Sequence, residues 1–534
     1  MNGKRVAIIG AGVSGLVAIK TCLEEGLQPV CFEKVKQLGG TWVYNEEVGS
    51  DPTGPAGIYD GLVTNVNKEM MAFSDFSFQR HIPPYPLRED VRNYYIRYAE
   101  EFDLTKHIQF NTTVVEVTKT PDFRETGRWN VCTQHEDGQP QSEIFDAVMV
   151  CTGMYSSGIV PNYPGQNEFR RQILHGSQFR CGQNFKDKTI LVVGASHSAG
   201  DIAILSSDHA KKVYISMRDG AWIVPRIMGR MPTDAYVNQR WRDLIPSWIF
   251  KPLIGIKMQS LLDWRALGIQ SSKHPANSNS VMINDQLPMK IMSGQVVVRS
   301  GLQRFEGSRV IFDDGSYLDD VDCVVYGTGY NPATPFLKEN ILGNSNQLEL
   351  YMHVIPPRLA HPTLAAIGYI RSRGAVGPTA ELQVRYALKV FKKEVELPSH
   401  QDMMADVTRR KDAVVKQYGV NQPKILPTTY NDELARAIGA LPSFWSLLLS
   451  DPKLAYHFYF SPAFPPWNRM VGPHSRPDAR QRILQCREDL LHGIALKTVR
   501  PGALKRLEDV DRNRTVLIML LVLCLLGFLL AVVV

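Results

Sequence analysis

The amino-acid sequence predicts an α/β protein with two Rossmann-like dinucleotide-binding domains and a C-terminal transmembrane helix. Three observations carry that class: a strand, Gly-rich turn, helix and strand over residues 5–34, an altered copy of it over 188–218, and an uncharged apolar run over 515–534. Size agrees, since 534 residues, 44% of them hydrophobic, can bury the cores of two or three domains.

The first unit, RVAIIGAGVSGLVAIKTCLEEGLQPVCFEK, reads as an apolar strand, a turn, a helix closed by Gly26 and a second strand. Its turn follows GxGxxG: Gly10 makes the tight turn, Gly12 lets the backbone approach a pyrophosphate, and Gly15 lets the helix pack on the strand. Ala11, Val13 and Ser14 complete the turn, and the amides that open the helix face the phosphates. Glu33, 18 residues after Gly15, is placed to accept a hydrogen bond from a ribose hydroxyl. A first adenine-dinucleotide site is therefore expected.

In the second unit Gly194 matches Gly10, Ser196 stands for Gly12 and Ala199 for Gly15, with His197, Ser198, Gly200 and Asp201 leading into the helix. The Ser196 β-carbon crowds a pyrophosphate there, while its hydroxyl is a candidate donor to a phosphate oxygen. In the next strand, KKVYISMR, Met217 falls opposite Glu33, and Ser216 and Arg218 flank the missing acid. An acid would repel a 2′-phosphate, whereas arginine pairs with it, so the pattern favours NADP over NAD. The competing reading is a solvated surface arginine over a purely structural turn. DAVMVCTG (146–153) and DCVVYGTG (322–329) echo each other as apolar strands emptying into Thr-Gly turns.

The formal charge of +7 is scattered rather than gathered in basic blocks, so no nucleic-acid surface is expected. Eight cysteines without a CxxC pair favour a reducing compartment, with neither a disulfide framework nor a cysteine-rich zinc site, and no metal site is assigned. The N-terminus runs directly into a strand pattern, with no signal peptide expected ahead of it. The run TVLIMLLVLCLLGFLLAVVV is just long enough, at about 1.5 Å per residue, to span a bilayer core of about 30 Å. Lys505, Arg506, Arg512 and Arg514 precede it, which leaves the bulk of the chain in the cytosol and the lipid bilayer as partner to a tail anchor.

The chain resembles the flavin-containing monooxygenase family of the microsomal, N-oxide-forming (dimethylaniline) type. The resemblance rests on GAGVSGL (10–16), LGGTW (38–42), TNVNKEMMAFSDF (64–76), FRRQILHGSQFR (169–180), SMRDGAW (216–222), GTGY (327–330) and the apolar tail. It implies FAD in the first turn, at Gly10, Ala11, Gly12, Val13, Ser14, Gly15 and Glu33, with Thr41, Trp42, Thr64, Asn65 and Val66 on the flavin side. It implies NADPH in the second, at Gly194, Ser196, His197, Ser198, Ala199, Gly200, Asp201, Ser216 and Arg218. Asn65 matches the family's active-site asparagine; a turn-capping role is the alternative. The departures are Arg171, where the family signature has glycine, and the second turn, where two glycines are lost and His197 replaces asparagine.

On this resemblance, residues 1–155 form the first part of the FAD domain, 156–187 a linker with the family signature and 188–330 the NADP domain, with a helical insertion at about 221–300. Residues 331–445 complete the FAD domain, 446–510 form a cap and 515–534 the anchor in the endoplasmic reticulum membrane. The implied reaction passes one oxygen atom from a flavin hydroperoxide to the nitrogen or sulfur of a small xenobiotic or metabolic amine or sulfide, with molecular oxygen consumed. Baeyer–Villiger oxygenation of ketones, simple NADPH oxidase activity, a membrane-tethered flavoprotein with an eroded NADP site, and a homodimeric assembly stay open. A two-dinucleotide disulfide reductase would need a paired CxxC, which the sequence lacks.

Overall fold

The computed structural model describes residues 3–490 and 492, apart from 48, 230, 345 and 346. The run expected to form the transmembrane helix, 515–534, lies outside the described residues, as does the end of the 446–510 cap; among the described residues no helix is long and apolar enough to cross a membrane.

In chain order the elements that position the site begin with β1 (Arg5–Ile9), α1 (Val13–Glu24), β2 (Gln28–Phe32), α2 (Lys68–Met71), β3 (Ile108–Gln109) and β4 (Ala147–Val150). They continue with β5 (Gln172–His175), β6 (Thr189–Val193), α3 (His197–Ser207), β7 (Lys212–Ser216), β8 (Val296–Arg299) and β9 (Cys323–Tyr326). After these come β10 (Leu364–Ala366), β11 (Arg371–Ser372), α4 (Gly377–Phe391), α5 (His400–Tyr418), β12 (Lys424–Ile425) and α6 (Ala479–Asp489).

Two five-stranded parallel sheets organise the molecule, in the orders β10-β4-β1-β2-β3 and β8-β7-β6-β9-β5. The fold is a mixed α/β one with Rossmann-type sheets. Its central strands are unbroken apolar runs because both faces are covered: Val6, Ala7 and Ile8 of β1 and Ile190, Leu191 and Val192 of β6 are inaccessible to solvent. The two echoing segments take matching places, β4 beside β1 and β9 beside β6, which explains the shared strand and Thr-Gly turn. Antiparallel three-stranded sheets, 112–119 with 129–135 and 141–145, and 302–306 with 309–312 and 317–318, branch from the two parallel ones.

The 221–300 segment holds the helix Ser247–Gln259 together with a parallel pair of short strands, Trp222–Val224 and Val281–Ile283, and returns through β8 to the second sheet. The C-terminal region is tied to the first unit by a buried ion cluster. Arg469, almost wholly enclosed, donates to Asp75 at 3.0 Å and to Glu381 at 2.7 Å, and Lys20 pairs with the same Asp75. Such a cluster holds only while every partner is present, because one unpaired buried charge costs several kcal/mol.

Candidate functional site

The first turn is shaped by contacts that exclude side chains. Gly10 has φ +101°, and its amide extends the ladder to Phe32 O at 2.8 Å. A Cβ on Gly15 would stand 1.8 Å from Gly10 O, and one on Gly40 would stand 2.9 Å from Gly12 Cα. Gly12 caps α1 without any side-chain hydrogen bond, so the leading amides stay open to an anion. Glu33 is buried below the turn, accepting from Ala11 N at 2.7 Å and Val35 N at 3.1 Å. Each of its oxygens keeps a lone pair for a ribose hydroxyl.

The surrounding residues close a cradle. Ala11 O accepts from Gly39 N at 3.0 Å, which lays the Gly40–Trp42 turn over the glycines, with Thr41 exposed and Trp42 half-buried. Val13 and Ser14 open α1, and a Cβ on Gly368 would meet Ser14 Oγ at 2.6 Å. Thr64 Oγ1 is buried without a hydrogen-bond partner, beside the half-buried Asn65 and Val66. A turn that admits no β-carbon, with helix amides left uncapped above a buried carboxylate, is what a bound dinucleotide would complete, and FAD fits these residues.

The second turn is built differently. Gly194 has φ +139°, and a Cβ there would lie 2.4 Å from Gly327 O. The Ser196 hydroxyl donates to Gly327 O at 2.9 Å and accepts from Ala199 N at 3.2 Å. It is therefore a helix cap that bridges the Thr-Gly turn after β9, and its proton is not directed at a phosphate. Ala199 fits in the third place because its neighbour is glycine: a Cβ on Gly327 would approach the Ala199 methyl to 2.6 Å. Gly200 packs under Met282, leaving no room for a side chain. Ser198 is half-buried on the first turn of α3.

At the end of β7, the Ser216 hydroxyl is buried and donates to Ser300 O at 2.7 Å, whereas Arg218 is exposed. Of the two, Arg218 is the group left to meet a 2′-phosphate. Asp201 accepts from Tyr59 Oη at 2.7 Å and from Asn284 Nδ2 at 3.0 Å, so it fastens α3 to segments on either side. Burial raises its pKa. These features fit NADP(H) with the arginine carrying more of the recognition and the helix amides less.

Arg226 holds the 63–65 segment against Asp285. It donates to Val63 O at 3.1 Å, Thr64 O at 2.9 Å and Asn65 Oδ1 at 3.3 Å, and it pairs with Asp285 at 2.7 Å. A guanidinium only donates, so it turns the Asn65 amide with Oδ1 inward and Nδ2 free to donate elsewhere. Desolvation and the nearby Arg226 charge lower the His197 pKa to about 4, which keeps the ring neutral at the helix N-terminus.

The stretch after Asn65 is anchored just as firmly. Asn67 caps α2 through Glu69 N at 2.9 Å, donates through Nδ2 to Leu490 O at 3.2 Å, and gives its amide to Asp234 Oδ2 at 2.8 Å. Burial lifts Asp234 to about 6. Arg226, Asp234, Tyr59 and Asn284 carry no local sequence signal, while Gly327 stood in the echoed Thr-Gly motif.

Comparison with known proteins places this geometry. The model of the flavin-binding monooxygenase-like family matches residues 3–533. Flavin-containing monooxygenase 5 of Cavia porcellus is 39% identical over 494 residues, covering 91% of this chain and 92% of that protein. Dimethylaniline monooxygenase [N-oxide-forming] 2 of Rattus norvegicus is 38% identical, covering 94% and 95%. Among solved structures, S-allyl-L-cysteine S-oxygenase from Allium sativum superposes with a TM-score of 0.63 at 23% identity, covering 91% of this chain and 98% of that one.

Proposed function

The chain belongs to the flavin-binding monooxygenase-like family, and from that premise we propose that it transfers one oxygen atom of molecular oxygen to the soft nitrogen or sulfur of a small molecule. It is an enzyme, a flavin monooxygenase with FAD and NADPH as cofactors. FAD reduced by NADPH supplies activated oxygen, and everything else falls to the protein.

Gly10 to Gly15 receive the FAD pyrophosphate, Glu33 its ribose, and Thr41, Trp42, Thr64 and Val66 line the flavin. The N-terminus of α3 from Gly194 to Asp201 receives NADPH, and Arg218 pairs with the 2′-phosphate. Asn65 would offer its Nδ2 as a hydrogen-bond donor on the flavin side of the site. The observation that carries this reading is the orientation of Asn65, whose Oδ1 accepts from Arg226 at 3.3 Å and whose Nδ2 is thereby left to donate. An N-oxide-forming relative at 38% identity supports nitrogen as one acceptor. We also propose that 515–534 anchors the enzyme in the endoplasmic reticulum membrane with its catalytic part in the cytosol.

The test is stoichiometric: NADPH consumed, hydrogen peroxide released and product formed, measured with dimethylaniline, methyl p-tolyl sulfide and cyclohexanone. N-oxide or sulfoxide matching NADPH is the expected result. An ester from the ketone would replace this reading with Baeyer–Villiger oxygenation, and peroxide equal to NADPH with no product would leave an oxidase.

A further inference from the structure

We propose that the enzyme favours substrates bearing an anionic group, a carboxylate or phosphate, and that Lys273, Arg371, Arg373 and Lys424 receive that group beside the site. The proposal rests on the oxygen-transfer reading above and names a substrate class for it.

The four cations come from three separate segments, and Lys273, Arg373 and Lys424 meet around Tyr418. β11 and β12 pair in parallel with Arg371 opposite Lys424. The Arg373 guanidinium lies 4.9 Å from the Tyr418 ring centre and the Lys424 ammonium 4.6 Å, while Lys273 Nζ donates to Tyr418 O at 3.4 Å. The charged groups acting on Lys424 are Arg373, Arg371 and Lys273, all of its own sign, and with burial they hold its pKa near 8. By contrast, the half-buried Arg410 sits between Asp406 and Glu433. Among the described residues no carboxylate pairs with these four cations, so like charges repel one another and an anion relieves that repulsion. Arg371 Nε and Ser372 Oγ are also buried without a hydrogen-bond partner.

The location is that of a substrate's distal end. Arg371 Nη2 donates to Tyr330 O at 2.8 Å, in the GTGY segment that follows β9. The loop carrying Arg371 and Arg373 is pinned at both ends to the first turn, since a Cβ on Gly368 would meet Ser14 Oγ at 2.6 Å and one on Gly377 would meet Val13 Cγ2 at 3.4 Å. The loop carrying Arg371 and Arg373 thus borders the first turn and the GTGY segment. Guanidinium groups bind carboxylate and phosphate through paired hydrogen bonds, so a sulfide or amine with an acidic substituent could be gripped here and presented to the flavin.

The experiment compares 4-(methylthio)benzoate with 4-(methylthio)benzyl alcohol, which carry the same sulfide with and without a charge. Sulfoxide formation gives the ratio of kcat/KM values, and calorimetry on the FAD-loaded, unreduced enzyme gives benzoate binding directly. The wild type should prefer the anion by about tenfold or more, and R373Q/K424Q should bring the ratio to about one, with K424R restoring it. The preference should also shrink with salt, and as pH rises through 8 and Lys424 discharges beside Lys273, Arg371, Arg373 and Tyr418. Equal wild-type use of the two sulfides, or a double variant that keeps the preference, overturns the proposal. So does a double variant whose only defect is a raised KM for NADPH, which would assign the cluster to the nucleotide. If neither sulfide is oxygenated yet benzoate binds and the double variant abolishes binding, the anion site stands and the oxygen-transfer reading falls.

Discussion

The first dinucleotide turn leaves its helix open and the second closes it. Gly12 makes no side-chain contact with the amides of α1, whereas Ser196 fills one amide of α3 with its own hydroxyl and ties it to Gly327. The glycine of the third position has not been lost so much as moved across the contact. At Gly15 the obstacle is Gly10 O, 1.8 Å from where a Cβ would lie, and no neighbour can yield; at Ala199 the opposing residue is itself glycine. A departure from GxGxxG is therefore read by what each position touches. Capping one amide leaves fewer donors for phosphate, so NADPH should depend on Arg218 more than FAD depends on any single side chain.

The largest expected effect breaks the first turn outright. G15V forces side-chain atoms into Gly10 O, and the purified protein should carry no flavin by its visible absorbance. In the second turn, R218E should keep full FAD content while KM for NADPH rises about 100-fold, because a favourable charge pair becomes a repulsive one. Steady-state kinetics with NADPH and NADH decide it: an equal loss with both nucleotides would remove Arg218 from 2′-phosphate recognition. Next comes the Arg226 fork that holds the 63–65 segment. R226K retains the charge but loses the fork that spans Val63, Thr64 and Asn65, and should lower product per NADPH about tenfold with hydrogen peroxide making up the difference. Unchanged coupling would show that Asn65 needs no such support.

How far these features were readable in the chain follows from their range. β1, the Gly-rich turn, α1 and β2 lie within thirty residues and obey local rules of periodicity and turn chemistry, so this run of elements was legible in order. Ser196 was legible as a departure, but the direction of its hydroxyl was not, since its acceptor is 131 residues away. Arg226 meets Asn65 across 161 residues and Asp234 meets Asn67 across 167. Neither sits in a motif, because each is selected by a tertiary contact rather than by its neighbours in sequence. The 221–300 segment, read as a helical insertion, carries short strands because its apolar stretches pair with one another, as Trp222–Val224 does with Val281–Ile283.

A smaller change tests the cap. S196G removes both hydrogen bonds of the hydroxyl and should lower stability by about 0.5 kcal/mol, glycine being a tolerable cap, while freeing Ala199 N for phosphate. Stability and NADPH affinity should therefore move in opposite senses, with the melting midpoint falling and KM for NADPH falling a few-fold. A higher KM would mean that the serine bridge itself shapes the phosphate site.

The last effect concerns His197, which follows Ser196 and stands where the first turn has Val13. Its pKa is lowered to about 4 in the folded protein, by desolvation and then by Arg226, against about 6.5 in the unfolded chain. A depressed pKa means that the unfolded state binds more protons between these values. Its contribution to stability is therefore complete above pH 6.5 and is lost as pH falls toward 4. H197N removes that proton uptake, so the wild type and the variant should differ in stability more at pH 5 than at pH 7.5, with the wild type losing more on acidification. Urea titrations of the FAD-loaded proteins at the two pH values measure it. If both lose the same amount, the imidazole is solvated well enough to titrate normally, and the second turn is more open than its cap suggests.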